Sequence, residues 1–253
     1  KNDKFYFTER YSRGSAGLAG VNAYPYKVWL EDLKAEQIGE YTFINAKNSP
    51  VNINLKLKPV KPIVLQGNKG LSQKSGEAGN ASYYYSMTRM ETEGKFIINN
   101  EEFQVEGFSW LDREWSTSAL SKNQIGWDWF SLQFDDNREL MLYNLRLKNG
   151  GIDPFSSGSY IDPSGKVFPL TKDDFKIEST STWISPETKS KYPSKWKVEV
   201  PKYKLSFEVT PHQNNQELLN SFIYWEGAVK ISGENISGNG YVELTGYNEV
   251  KND

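Results

Sequence analysis

A chain of 253 residues is long enough for one large β domain or for two domains with cores of their own. Its formal charge of −2, with no long block of like charge, speaks against nucleic acid or an anionic membrane surface as partner. The absence of cysteine and the single histidine exclude disulfides, thiolate chemistry and multi-histidine metal centres, and no metal or cofactor is expected.

Aromatic residues make up 14% of the chain, and the 15 Tyr and 8 Trp far outnumber the 3 Met, a balance that favours strands. No apolar run reaches the length of a membrane span. In chain order, an alternating stretch from Phe5 gives way to the small residues RGSAGLAG, and a short helix is expected over residues 29–35. Strands follow over residues 41–45 and 51–58, the second with Val51, Ile53, Leu55 and Leu57 on one face and ended by Pro59 and Pro62. Residues 67–79 read as a glycine-rich connection; Lys69 and Lys74 lie in it, but it lacks the G-K-[ST] ending of a phosphate loop.

Residues 82–90 form the next expected strand, with a turn at Glu93 and Gly94 before a strand over residues 103–115. A hairpin is expected from residues 127–134 and 139–147, then short strands around Pro163. Strands over residues 175–183 and 196–200 flank an exposed loop, SPETKSKYPSK, and residues 203–209, 222–231 and 240–247 complete the count. His212 sits in the polar turn TPHQNNQE, and without a G-x-S-x-G elbow it reads as a loop residue. Many short strands with frequent turn signals predict an all-β chain of barrels or sandwiches.

The densest stretch is GFSWLDREWSTSALSKNQIGWDWF, residues 107–130. As a strand it sets Trp110, Asp112 and Glu114 on one face, so two carboxyls follow aromatic rings on a single surface. If that face is buried, desolvation and mutual repulsion push a carboxyl toward its neutral, proton-donating form. Asp112, Glu114 and Asp128 are therefore the candidate acid–base residues, with Trp110, Trp115, Trp127, Trp129, Tyr224, Glu226, Tyr241 and Glu243 as candidate ligand-binding residues. Glu226 is also expected to bond backbone or to pair with Arg89, Arg138 or Arg146, the commoner fate of a lone acid in a barrel. GFSWLD at Gly107 is echoed by GNGYVE at Gly238, each after an aromatic-rich strand, which suggests a duplication. The expected domains are residues 1–117, lacking their opening hairpin, and residues 118–253.

The segments FTERYSRGSAGLAG, GNASYYYSMTR, GFSWLDREWSTS, GWDWFSLQFDDNRELMLYNLR, YWEGAVKISG and GNGYVELTGY, with Trp183, Ser185 and Pro186 as W-x-SP, resemble the AttH and carotenoid 1,2-hydratase (hydroxyneurosporene synthase) family over nearly the whole chain. The resemblance implies two lipocalin-like β-barrels in tandem, the first N-terminally incomplete. It also implies a bacterial protein exported to the periplasm, the outer membrane or the medium. In the hydratases an aromatic-x-Asp motif lies where this chain has Trp110-Leu111-Asp112, which implies Asp112 as proton donor to a carbon–carbon double bond. Trp in place of the usual Tyr, and Arg113-Glu114-Trp115 after it, set the chain nearer the AttH branch. Fungal decalin-forming cyclases are similar in fold, so the scaffold serves several chemistries.

The expected partner is a hydrophobic or amphipathic small molecule in a pocket walled by aromatics, with acid-catalysed hydration, isomerisation or cyclisation as the chemistry. A non-catalytic carrier of lipid or pigment needs the same cavity. A carbohydrate-binding module needs instead an open, flat aromatic surface.

Overall fold

The structure, a computed structural model, describes residues 5–117 and 120–248. Among these residues there is no α-helix, and two curled sheets form half-barrels of the lipocalin kind. The first sheet comprises β1 (Ala19–Asn22), β2 (Lys27–Leu30), β3 (Leu33–Ile38), β4 (Tyr41–Asn48), β5 (Val51–Pro59), β6 (Val64–Leu65), β7 (Leu71–Gln73), β8 (Ala81–Ile98) and β9 (Glu101–Ser116). The second comprises β10 (Gln124–Phe134), β11 (Glu139–Leu147), β12 (Ser157–Ile161), β13 (Val167–Thr171), β14 (Lys176–Ile184), β15 (Lys191–Val200), β16 (Leu205–Pro211), β17 (Glu217–Leu219), β18 (Ile223–Gly233) and β19 (Ile236–Leu244). The two copies of the repeat lie in β9 and β19, each the second strand of a hairpin.

By compactness the chain divides into a larger unit, the described residues of Lys1–Tyr6, Ile63–Ser86 and Asp112–Asp253, and a smaller one, Phe7–Pro62 with Met87–Leu111. The sheets part between Ser116 and Gln124, whereas the compact units divide β8 and β9 along their length. The boundary expected at residues 117 and 118 abuts positions 118 and 119, which lie outside the described residues.

In the larger unit the concave face of the second sheet is filled. Phe130, Leu132 and Phe134 alternate along β10, Trp196, Val198 and Val200 along β15, and Val242 and Leu244 on β19, all essentially without exposure. Edge-to-face rings lock this core, Phe130 on Trp196 at 5.5 Å and Phe134 on Phe207 at 5.3 Å. Each such pair contributes about 0.5–1.5 kcal/mol beyond its area.

The smaller unit is an antiparallel meander, β1 to β5, joined by the later part of β8 and the start of β9. Two sequence expectations fail here. Residues 29–35 are not helical but form the β2–β3 hairpin, with Trp29 opposite Lys34 and Leu30 opposite Leu33. Its turn holds Glu31 at φ 55°, and Arg10 pins the turn through Glu31 (3.3 Å) and Asp32 (2.6 Å). Glu93 and Gly94 make no turn; β8 runs through them to Ile98, and the reversal comes at Asn99 and Asn100, both at positive φ. Gly94 is required because a Cβ there would sit 2.1 Å from the Asn54 carbonyl oxygen on β5.

Candidate functional site

On the outer face of the second sheet, register sets a row of polar and aromatic side chains side by side. Trp127 lies opposite Leu145, Trp129 opposite Tyr143 and Glu243, and Glu243 opposite Glu226. Two glycines position this row. Gly126 (φ 158°) and Gly246 (φ 70°) let the start of β10 and the turn after β19 touch, a Cβ at Gly246 falling 1.8 Å from the Ile125 oxygen. That contact lets the Thr245 N–H donate to the Trp127 carbonyl at 3.0 Å, and the Thr245 hydroxyl accepts from the Trp127 N–H at 3.1 Å.

Over this face lies an aromatic pocket of about 240 Å³, walled by Tyr84, Trp115, Trp127, Trp129, Tyr143 and Leu145, with Lys74, Ser82, Glu114 and Ser116 as its polar lining. Alternation along β8 turns Ser82, Tyr84 and Ser86 the same way, toward the carboxyls of β9. Ser82 donates to Glu114 and Ser86 to Asp112, each at 2.5 Å. The Tyr84 hydroxyl donates to Asp112 and accepts from the Trp129 indole N–H at 3.2 Å. Burial first, then the charges of Asp112 and Glu114, hold the Tyr84 phenol well above its ordinary range, so it stays protonated.

Behind Asp112 runs a buried relay. Ser159 donates to the Gln66 side-chain oxygen (2.7 Å), the Gln66 amide donates to Ser86 (2.9 Å), and Ser86 donates to Asp112. Across the pocket, Lys74 ends 2.9 Å from Glu114 and over the Tyr143 ring at 4.3 Å, its side chain only 12% exposed. Tyr143 is fixed by donation from Ser157 at 2.7 Å.

The candidates from sequence therefore separate. Asp112, Glu114, Trp115, Trp127 and Trp129 gather at or beside the pocket, with Trp115 at its exposed rim against the rings of Tyr83 and Tyr85. Trp110, half-buried, belongs to the smaller unit. Asp128 points to the other face, where it accepts from Arg146 (3.0 Å) and Tyr247 (2.8 Å). Burial pushes its carboxyl up against the pull of those two groups, and its place is that of a structural anchor. Glu226 has none of the arginine partners expected. Arg146 is held by Asp128 and Arg138 by Asp136, while Arg89, in the smaller unit, lies over Phe108. Instead Glu226 faces Glu243, and burial followed by that charge pushes its carboxyl up to about 7. Glu243 accepts from the Trp127 indole at 2.7 Å and is raised by burial and by Glu114 and Asp112. Tyr241 sits beside Glu226, and Tyr224 lines a second cleft of about 660 Å³ with Trp127, Phe222, Ile223, Glu243 and Asn248.

Sequence reasoning missed Lys74, Tyr84 and Tyr143. Only Tyr84 left a trace, as the middle of Ser82, Tyr84 and Ser86 at period two. Among the described residues no helix is long and apolar enough to cross a membrane, and no group of three or more metal-binding side chains is assembled.

The chain is similar in sequence and in fold to known proteins. Dehydratase asqC of Emericella nidulans is 24% identical over 230 residues, which are 81% of this chain and 61% of that protein, so the chain spans less than two thirds of the relative's length. An AttH protein from Nitrosomonas europaea matches in structure with a TM-score of 0.81 and 32% identity, over 87% of this chain and 70% of that one. Kievitone hydratase from Nectria haematococca matches with a TM-score of 0.71 and 16% identity over the same shares, a likeness of fold. The profile of the AttH-like family covers residues 1–247, and the chain belongs to that family.

Proposed function

We propose that the protein is a lipocalin-like lyase that adds water to, or removes it from, a hydrophobic small molecule held in the aromatic pocket. One observation carries the reading: a phenol kept neutral, Tyr84, opens onto an apolar-walled pocket and is backed by the Asp112 carboxyl at the end of a buried hydrogen-bond relay. Tyr84 holds the oxygen of the arriving or departing hydroxyl, and Asp112 gives or takes the proton, so that H and OH are exchanged across one carbon–carbon bond. A phenol this weakly acidic donates to oxygen, while protonation of carbon calls for the stronger carboxylic acid. Trp127 and Trp129 offer ring faces to positive charge developing on carbon. Two relatives are named a dehydratase and a hydratase, which supports the same class.

The test incubates the protein with kievitone and with isoprenoid alkenes in heavy-oxygen water and reads label in the product by mass spectrometry. Incorporation that Asp112→Asn abolishes, with unchanged melting temperature and unchanged probe binding, is the expected result. Binding without label for any probe would make the protein a carrier, and a large loss of melting temperature in Asp112→Asn would make that residue a structural anchor.

A further inference from the structure

The aromatic pocket and the cleft at Phe222 have one wall in common, Trp127, whose indole is clamped by Glu243. Both open on the same face of the second sheet, since Leu145, Trp127 and Glu243 share it by register. They differ in character. The pocket, of about 240 Å³, is the smaller and has Lys74 in its lining. The cleft of about 660 Å³ is wider and presents apolar side chains to solvent, Phe222 being 78% exposed and Ile223 43%.

We propose that pocket and cleft are two compartments of one ligand site, in which Lys74 receives an uncharged carbonyl or hydroxyl oxygen at the ligand's head and the cleft takes a long hydrocarbon tail laid over Trp127. The inference rests on the reading of the pocket as a ligand site and adds the class of molecule. Lys74 carries three N–H donors; Glu114 accepts from one, and the faces of Tyr143 and Tyr84, at 4.3 and 5.5 Å, attract the charge without accepting as an oxygen does. The remaining N–H groups of the ammonium can donate to a ligand oxygen. A formal anion at the head is disfavoured, because Glu114 already neutralises Lys74 and the carboxyls of Asp112 and Glu243 stand close by. The cleft holds Trp127, Phe222, Ile223 and Tyr224, rings and branches that gain by covering hydrocarbon. Solvent-exposed Phe222 and Ile223 have no role in the core, so a tail is what gives them a partner.

Intrinsic tryptophan fluorescence titrated with methyl ketones of increasing chain length reads both ends. Affinity is expected to rise about fourfold per added methylene, the factor that ~0.8 kcal/mol per buried CH₂ implies, until the cleft is filled. Phe222→Ser should flatten that rise without changing the melting temperature. Lys74→Met should weaken every ketone by about fivefold, one hydrogen bond's worth, and leave the dependence on length intact. Lys74→Gln, which keeps a donor, should recover part of the loss if Lys74→Met folds poorly. Ketones that bind with no dependence on length overturn the tail compartment alone, and fatty acids that outrank ketones overturn the neutral head. Alkylamines that bind best make Glu226 and Glu243 the recognition element and sink the proposal. Failure of every probe to bind removes the pocket reading itself.

Discussion

At Glu226 two ordinary rules of the sheet conflict. Cross-strand neighbours of like charge destabilise a sheet by about 0.2–1 kcal/mol, yet Glu226 and Glu243 stand directly opposite, both half-buried. The conflict is resolved by protonation, which is why the Glu226 carboxyl is pushed from an ordinary 4.5 up to about 7, through burial first and Glu243 second. The folded chain therefore holds a proton between pH 4.5 and about 7 that the unfolded chain has released. Stability falls as pH rises through that window and levels off above it. Glu226→Gln, which keeps the carboxyl's shape and loses its charge, should raise the melting temperature at pH 8 by about 2–4 °C, the value of ~1 kcal/mol in a chain of this size. It should also flatten the pH dependence below 7. A lower melting temperature at pH 8, measured by circular dichroism, would mean that the hydrogen bond from Tyr224 to the Glu226 carboxylate outweighs the repulsion from Glu243.

Among the elements, the short strand β17 shows how one residue holds a loop. Glu217 is 3% exposed and accepts from Ser185, from Thr188 (2.7 Å) and from Tyr192 (2.8 Å). Ser185 in turn accepts from the backbone N–H groups of Glu187 and Thr188, each at 3.2 Å, so the W-x-SP segment is tied down through a single carboxylate. Glu217→Ala strands the hydroxyls of buried Ser185 and half-buried Thr188, at about 1–3 kcal/mol each, and leaves the Tyr192 hydroxyl only Asn248 as acceptor. The expected outcome is a marked loss of melting temperature, with rapid proteolysis within residues 186–190 and ketone binding in the aromatic pocket kept; an unchanged melt would show that water replaces the carboxylate. What was legible in the sequence follows the same physics. Strands that alternate along much of their length, such as β10 and β16, were readable because a period of two is local information. The hairpin at Trp29 was misread because Leu, Lys, Ala, Glu and Gln favour helices by only tenths of a kcal/mol, and Arg10, far off in sequence, overrides them. Asp112, Trp127 and Trp129 could be nominated from one dense segment, but Lys74 could not. Its place at the pocket depends on the pairing of β7 with β8, and a glycine-rich connection carries no sign of that.

At the scale of the whole molecule, burial is divided unevenly between the two units. The larger unit buries Trp196, Trp225, Tyr192, Phe130 and Phe134 almost completely, together with a continuous aliphatic core. In the smaller unit Leu57 and Met90 are the fully buried hydrophobics among the described residues, and β4 and β5 are half-buried along most of their length. Each large side chain taken fully out of water contributes about 1.5–3 kcal/mol. Hydrogen bonds of a meander without that burial open at lower cost, because local stability follows buried apolar contact. Native-state hydrogen exchange in rising urea should accordingly release amides of β2 to β4 first. Amides of β10, β15 and β19 should hold out to the main transition, with most of the tryptophan fluorescence following them, since Trp115, Trp127, Trp129, Trp183, Trp196 and Trp225 belong to the larger unit and Trp29 and Trp110 to the smaller. Exchange of both sets at a single urea concentration would show one cooperative body and overturn the ranking of local stability by buried apolar contact.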